Sequence, residues 1–104
     1  MKSAVDVLYR DMEYSASLND VISKKLEKLN RYSDQIIHSR VVLDTPHNHK
    51  QKGKQFRASI EIDIKGHPIA VTQDNESIHL AVRDAFNSAE RKVKQITARQ
   101  RTLQ

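Results

Sequence analysis

The chain has no cysteine and no tryptophan, and only two glycines and two prolines among its 104 residues. Without cysteine there is no disulfide framework, no thiolate zinc site, no iron–sulfur cluster and no thiol nucleophile. Lack of disulfides suits a reducing compartment. Two glycines rule out a glycine-rich phosphate loop, because GxGxxG needs three and no GK[ST] ending occurs. No apolar run approaches the ~20 residues of a membrane span. The stretch Met1-Lys2-Ser3-Ala4-Val5-Asp6 meets an acid before a signal-peptide apolar region could form. No GxSxG, HExxH or other catalytic motif is present. The expectation is a soluble cytoplasmic protein that is not an enzyme, with no cofactor, no metal, no small-molecule substrate and no membrane partner.

What the chain does have is charge. Lys and Arg number 18 against 13 Asp and Glu, a formal net charge of +5, and charged residues make up 30% of the sequence. A basic excess of this kind favours an anionic partner, nucleic acid first. The length fits one domain over residues 1–104, ordered over about 3–98.

The hydrophobic pattern gives an order of elements. Val5, Val7 and Tyr9 alternate with Asp6 and Arg10, a short strand that Leu8 interrupts. Ser17 is a candidate N-cap, with Asp20 in the first turn, and Leu18, Ile22, Leu26 and Leu29 repeat at helical spacing toward an end near Tyr32-Ser33. Ile36 to Leu43 is β-branched and strand-like. Asp44 to Gln55 holds no apolar residue and reads as a long basic loop. Phe56, Ala58, Ile60, Ile62 and Ile64 then alternate strictly with Arg57, Ser59, Glu61, Asp63 and Lys65, so one strand face is buried and the other meets water. Gly66-His67-Pro68 reads as the turn of a hairpin and Ile69 to Gln73 as its return strand. Asn75 or Asp74 is a candidate cap for a second helix whose stripe runs Ile78, Val82, Ala85, Phe86, Ala89, Val93, Ile96, about 30 Å in length. From Arg99 the polar tail is expected to fray. The predicted fold class is α+β: a two-layer β-α-β-β-β-α arrangement, with a four-stranded sheet carrying both helices on one face.

Positive charge falls in three segments. The first helix carries Lys24, Lys25, Lys28 and Arg31; the loop carries Lys50, Lys52 and Lys54; the second helix carries Arg91, Lys92, Lys94 and Arg99. On a helical wheel Lys24, Lys28 and Arg31 share one flank of the first stripe, with Lys25 at its margin. Arg91, Lys92 and Arg99 take the corresponding flank of the second stripe, while Arg83, Lys94 and Arg101 lie opposite with Glu90. If matching flanks meet, they form one extended positive surface suited to phosphates. Other polar groups carry less. His47 and His49 lack a third metal ligand nearby. Glu61 and Asp63, about 7 Å apart on one strand face, read as solvent-facing charges. The five aromatics form no stacking pair of the RRM kind.

Lys25-Leu26-Glu27-Lys28-Leu29-Asn30-Arg31-Tyr32, followed by Asp34-Gln35-Ile36, resembles a segment of the ribosome hibernation promoting factor family, also called ribosome-associated inhibitor or sigma-54 modulation proteins. His79-Leu80-Ala81-Val82-Arg83-Asp84 is similar to that family's Tyr-x-Ala-Ile stretch. Ala89-Glu90-Arg91-Lys92-Val93 is similar to its Leu-x-Arg-Gln-Leu. The resemblance spans about residues 4–99 and looks like the family's short form, the chain ending before the long form's dimerising domain. It implies a fold similar to double-stranded-RNA-binding domains. It also implies binding to rRNA in the decoding channel of the small ribosomal subunit, which blocks mRNA and tRNA positions under stress. By position it implies RNA contacts from Lys25, Lys28 and Arg31 on the first helix and from Arg91, Lys92 and Arg99 on the second. Ser88 and Gln95 stand where the family usually has lysine, with Lys94 as a substitute from another flank. The alternative reading is a regulatory module that docks an acidic protein through the same basic helices.

Overall fold

The structure, a computed structural model, describes residues 4–45 and 56–102. Its elements run β1 (Ala4–Tyr9), α1 (Ala16–Tyr32), β2 (Ile36–Asp44), β3 (Phe56–Ile64), β4 (His67–Asn75) and α2 (Ile78–Thr102). The strands form one sheet in the order β1-β2-β3-β4. β1 and β2 are parallel, joined through α1, and β2, β3 and β4 are antiparallel neighbours. This is the expected α+β arrangement, and the strict alternation of β3 explains why it works. Ala58, Ile60, Ile62 and Ile64 are all buried toward the helices, while Glu61 and Asp63 stay exposed on the other face.

The core lies between sheet and helices. α1 contributes Leu18, Ile22, Leu26 and Leu29, and α2 contributes Ala81, Val82, Ala85, Phe86, Ala89 and Val93. The alanines on α2 let it lie close over β3 and β4. α1 lies beside it on the same face.

Four boundaries depart from the sequence-based expectation, each for a local reason. Ser15, not Ser17, caps α1: its hydroxyl accepts from Leu18 N at 3.2 Å. The Tyr9 hydroxyl fixes this start, donating to Asn19 Oδ1 at 2.8 Å and lying 3.1 Å from the Ser15 carbonyl oxygen. The β3–β4 turn is Lys65-Gly66 alone, with Gly66 at φ +80, so His67 and Pro68 belong to β4 and pair with Ile64 and Asp63. Pro68 is tolerated because β4 is an edge strand. Ser77 lies at the start of α2 and accepts from Leu80 N at 3.4 Å. Asn75 and Asp74 are occupied otherwise, Asn75 with Asp84 and Asp74 with Arg57. Finally, α2 continues past Arg99 to Thr102.

Candidate nucleic-acid interface

Charge is divided between the two faces of the molecule. The open face of the sheet carries Asp6, Asp44, Glu61, Asp63 and Asp74 against Arg40 and Arg57, a net of three negative charges. Several are paired across strands: Arg57 meets Asp74 through two bonds, 2.7 and 3.0 Å, and His38 Nε2 lies 2.9 Å from Asp6. Glu61 and Asp63 border a shallow hollow with His38, Pro68 and Ala70. The opposite, helical layer is where cations predominate, and a polyanion approaching the molecule is drawn to that side.

Chain direction decides which helix flanks meet. From β1 the chain reverses at every element, so that β2, reached through α1, runs parallel to β1 again. α1 and α2 therefore both run against β1, β2 and β4, and so run in the same direction. In a parallel pair, unlike flanks face each other. The expected union of matching flanks does not form. Lys28 on α1 instead reaches Glu90 on α2, 3.3 Å away, and Glu90 also holds Lys94 at 3.3 Å. The other flank of α2 faces the β4 edge: Asp84 bonds to Asn75, and Ser88 Oγ accepts from Gln73 Nε2 at 3.3 Å. Lys92 and Arg99 share that flank, away from α1.

The cations consequently form a belt across the helices rather than a track along them. Arg31 stands at the C-terminal end of α1 on the rim of the groove, Lys28 and Lys94 in the groove, Arg91 on the outer crest of α2, and Lys92 and Arg99 on its far side. All lie in the C-terminal halves of their helices, where the dipole favours positive charge. Lys25, Arg31, Arg91, Lys92 and Arg99 make no ion pair among the described residues. Lys24 is engaged by Asp20 at 3.1 Å. Lys94 also lies 4.5 Å from the centre of the Tyr32 ring, which holds it over the groove.

Titration reflects the same geometry. Burial pushes Glu90 up, but hydrogen bonds from Lys28 and Lys94 outweigh it and hold the carboxyl below its ordinary value. Lys94 is raised, chiefly by its bond to Glu90. Away from the groove, Asp84 is lowered by hydrogen bonds from Arg83 and Asn75.

Lys50, Lys52 and Lys54 lie outside the described residues. The strand ends flanking them, Asp44 and Phe56, are at the end of the sheet where the helices start, opposite the belt. Lys65, which the alternation puts on the outward face of β3, instead lies in the tight hairpin turn and is exposed at the belt's own end of the sheet. Counting strand reversals would have shown this, and would have shown that the helices are parallel.

Comparison with known proteins agrees with the fold. The family described as sigma 54 modulation protein / S30EA ribosomal protein matches residues 5–101. The chain belongs to this ribosome-associated family. It is 27% identical to the Thermus thermophilus Protein Y N-terminal domain, with a TM-score of 0.76 over 91% of this chain and 99% of that one. A ribosomal subunit interface protein from Coxiella burnetii shares the fold at 15% identity, with a TM-score of 0.74 over 91% of this chain and 98% of that one. A ribosome hibernation promotion factor from Deinococcus radiodurans is 24% identical over 90 residues, 86% of this chain. The chain spans about half the length of that relative, 47%. No helix among the described residues is long and apolar enough to cross a membrane.

Proposed function

We propose that the chain is a single ribosome-binding domain that works as a translation-silencing hibernation factor, seated on rRNA in the decoding channel of the small subunit. Family membership supports ribosome association and a modulating rather than catalytic role. The observation that carries the finer reading is the charge division: cations on the helical face, carboxylates on the open sheet. Such a molecule binds a phosphate-lined wall on one side only. Silencing then needs no bond made or broken, because occupancy alone excludes mRNA and tRNA.

In this reading Lys25, Lys28, Arg31, Arg91, Lys92, Lys94 and Arg99 meet phosphate oxygens, with Lys24 able to join by exchanging Asp20 for a phosphate. Lys50, Lys52 and Lys54, which lie outside the described residues, would add further contacts. Co-sedimentation with purified small subunits tests the reading. The protein should pellet at low salt, detach as salt rises, and lower the yield of an in vitro translation reaction. Failure to pellet even at low salt refutes it. A complex with an acidic protein that survives ribonuclease would favour the docking-module alternative.

A further inference from the structure

The groove between α1 and α2 holds an arrangement that the belt alone does not explain. A cleft of ≈ 290 Å³ is lined by Arg31, Tyr32, Lys94, Thr97 and Ala98. Lys94, on its wall, shares the Glu90 carboxylate with Lys28, one oxygen to each ammonium at 3.3 Å. Thr97 Oγ1 is buried and is the one buried side-chain polar atom among the described residues without a hydrogen-bond partner. Arg31 is exposed and makes no ion pair among them.

Arg31, Lys94 and Thr97 are donors on the wall of one cleft, and Lys28 adjoins it through the carboxylate it shares with Lys94. A carboxylate spreads one negative charge over two oxygens, and a phosphodiester spreads one over its two non-bridging oxygens. Glu90 therefore satisfies Lys28 and Lys94 as an RNA phosphate would. It leaves Arg31 and the Thr97 hydroxyl unused.

We propose that this groove seats one phosphodiester of an RNA strand and that Glu90 occupies its two lysines in the free protein, holding the place the phosphate takes. The inference rests on the RNA-binding role proposed above for the helical face. On binding, Lys28 and Lys94 exchange the carboxylate for phosphate oxygens. Glu90, about a quarter exposed, turns toward solvent, and Arg31 and Thr97 Oγ1 complete the seat. Glu90 thus tunes affinity downward: each binding event must first release an internal anion.

Two substitutions test this by titrating a fluorescent single-stranded oligouridylate and small ribosomal subunits over a salt series. Glu90→Gln leaves an uncharged side chain of the same shape and adds one positive charge to the groove. It should bind several-fold tighter than the parent at low salt, and the slope of log affinity against log salt should steepen by about 0.7–0.9. Thr97→Val removes the hydroxyl at nearly constant volume. It should weaken RNA binding several-fold while raising the melting temperature, because a buried unpaired polar group is removed. A merely structural Thr97 would raise the melting temperature and leave binding unchanged. If the parent binds RNA and subunits but Glu90→Gln binds no tighter, the seat is overturned and the belt stands. If the parent binds neither, both readings fall. If uridine 5′-monophosphate perturbs the Thr97 and Lys94 NMR signals while the oligonucleotide gains nothing in Glu90→Gln, the groove serves free nucleotides and the RNA seat is overturned.

Discussion

Arg31, on the rim of the groove, and Arg91, on the outer crest of α2, are exposed and without ion pairs among the described residues, so their removal reads the belt with little structural disturbance. The double variant Arg31→Gln, Arg91→Gln deletes two phosphate contacts. Each contact contributes about 0.7 to the salt slope on single strands and about 0.9 on duplex. The slope should therefore fall in magnitude by roughly 1.4–1.8. Over a rise from about 50 to about 200 mM salt, the parent's affinity should fall about tenfold further than the variant's. The parent's slope carries information too. Lys25, Arg31, Arg91, Lys92 and Arg99, with one net charge from the Lys28–Glu90–Lys94 group, correspond to roughly six contacts and a slope near −4 to −5. A parent slope near −3 would mean that Lys92 and Arg99, on the β4 side, stay off the RNA. Small-subunit sedimentation over a salt series gives both numbers. Parallel lines for parent and variant, differing only in height or not at all, would refute the claim that these arginines meet phosphates.

Three further outcomes follow from the fold and the groove. Ile60 is 0% exposed, so Ile60→Ala should cost about 2–5 kcal/mol in chemical denaturation and leave the salt slope unchanged. Gly66 has φ +80 and open space where a Cβ would stand, so Gly66→Ala should cost only the backbone term, about 1 kcal/mol; a loss well above that would mean the turn is constrained by more than its φ. Because Glu90 lies below its ordinary value when folded, its contribution is present above the ordinary glutamate range of about 4.3 and disappears as pH falls through the lower folded value. Thermal melts across that acid range should show Glu90→Gln losing less stability than the parent.

Much of the fold was legible because its strongest signals are periodic. Phe56 to Ile64 alternates strictly, and the stripe from Ile78 to Ile96 keeps one helical face for about five turns; no packing could hide either. Boundaries set by single residues were not legible. Ser15 and Ser17 are equally good caps by type, and only the Tyr9 hydroxyl bonding to Asn19 selects the first. Pro68 looks like turn punctuation, yet an edge strand accommodates it. The site was half legible. The residue types and their helix positions were readable, but a wheel drawn for each helix separately says nothing about which flanks meet. Direction of travel settles that, and it places Glu90 between Lys28 and Lys94, where each wheel alone gives only an acid on a flank.

The central claim is that the helical face, and not the open sheet, binds the ribosome. Charge reversal on each face tests it most directly: Lys28→Glu with Arg91→Glu on the helices, set beside Arg40→Glu on the sheet. With circular dichroism confirming that both variants fold, the account predicts that the first no longer pellets with small subunits at any salt and that the second pellets like the parent. Parent-like pelleting of the helix variant, or loss of pelleting with Arg40→Glu alone, would contradict it.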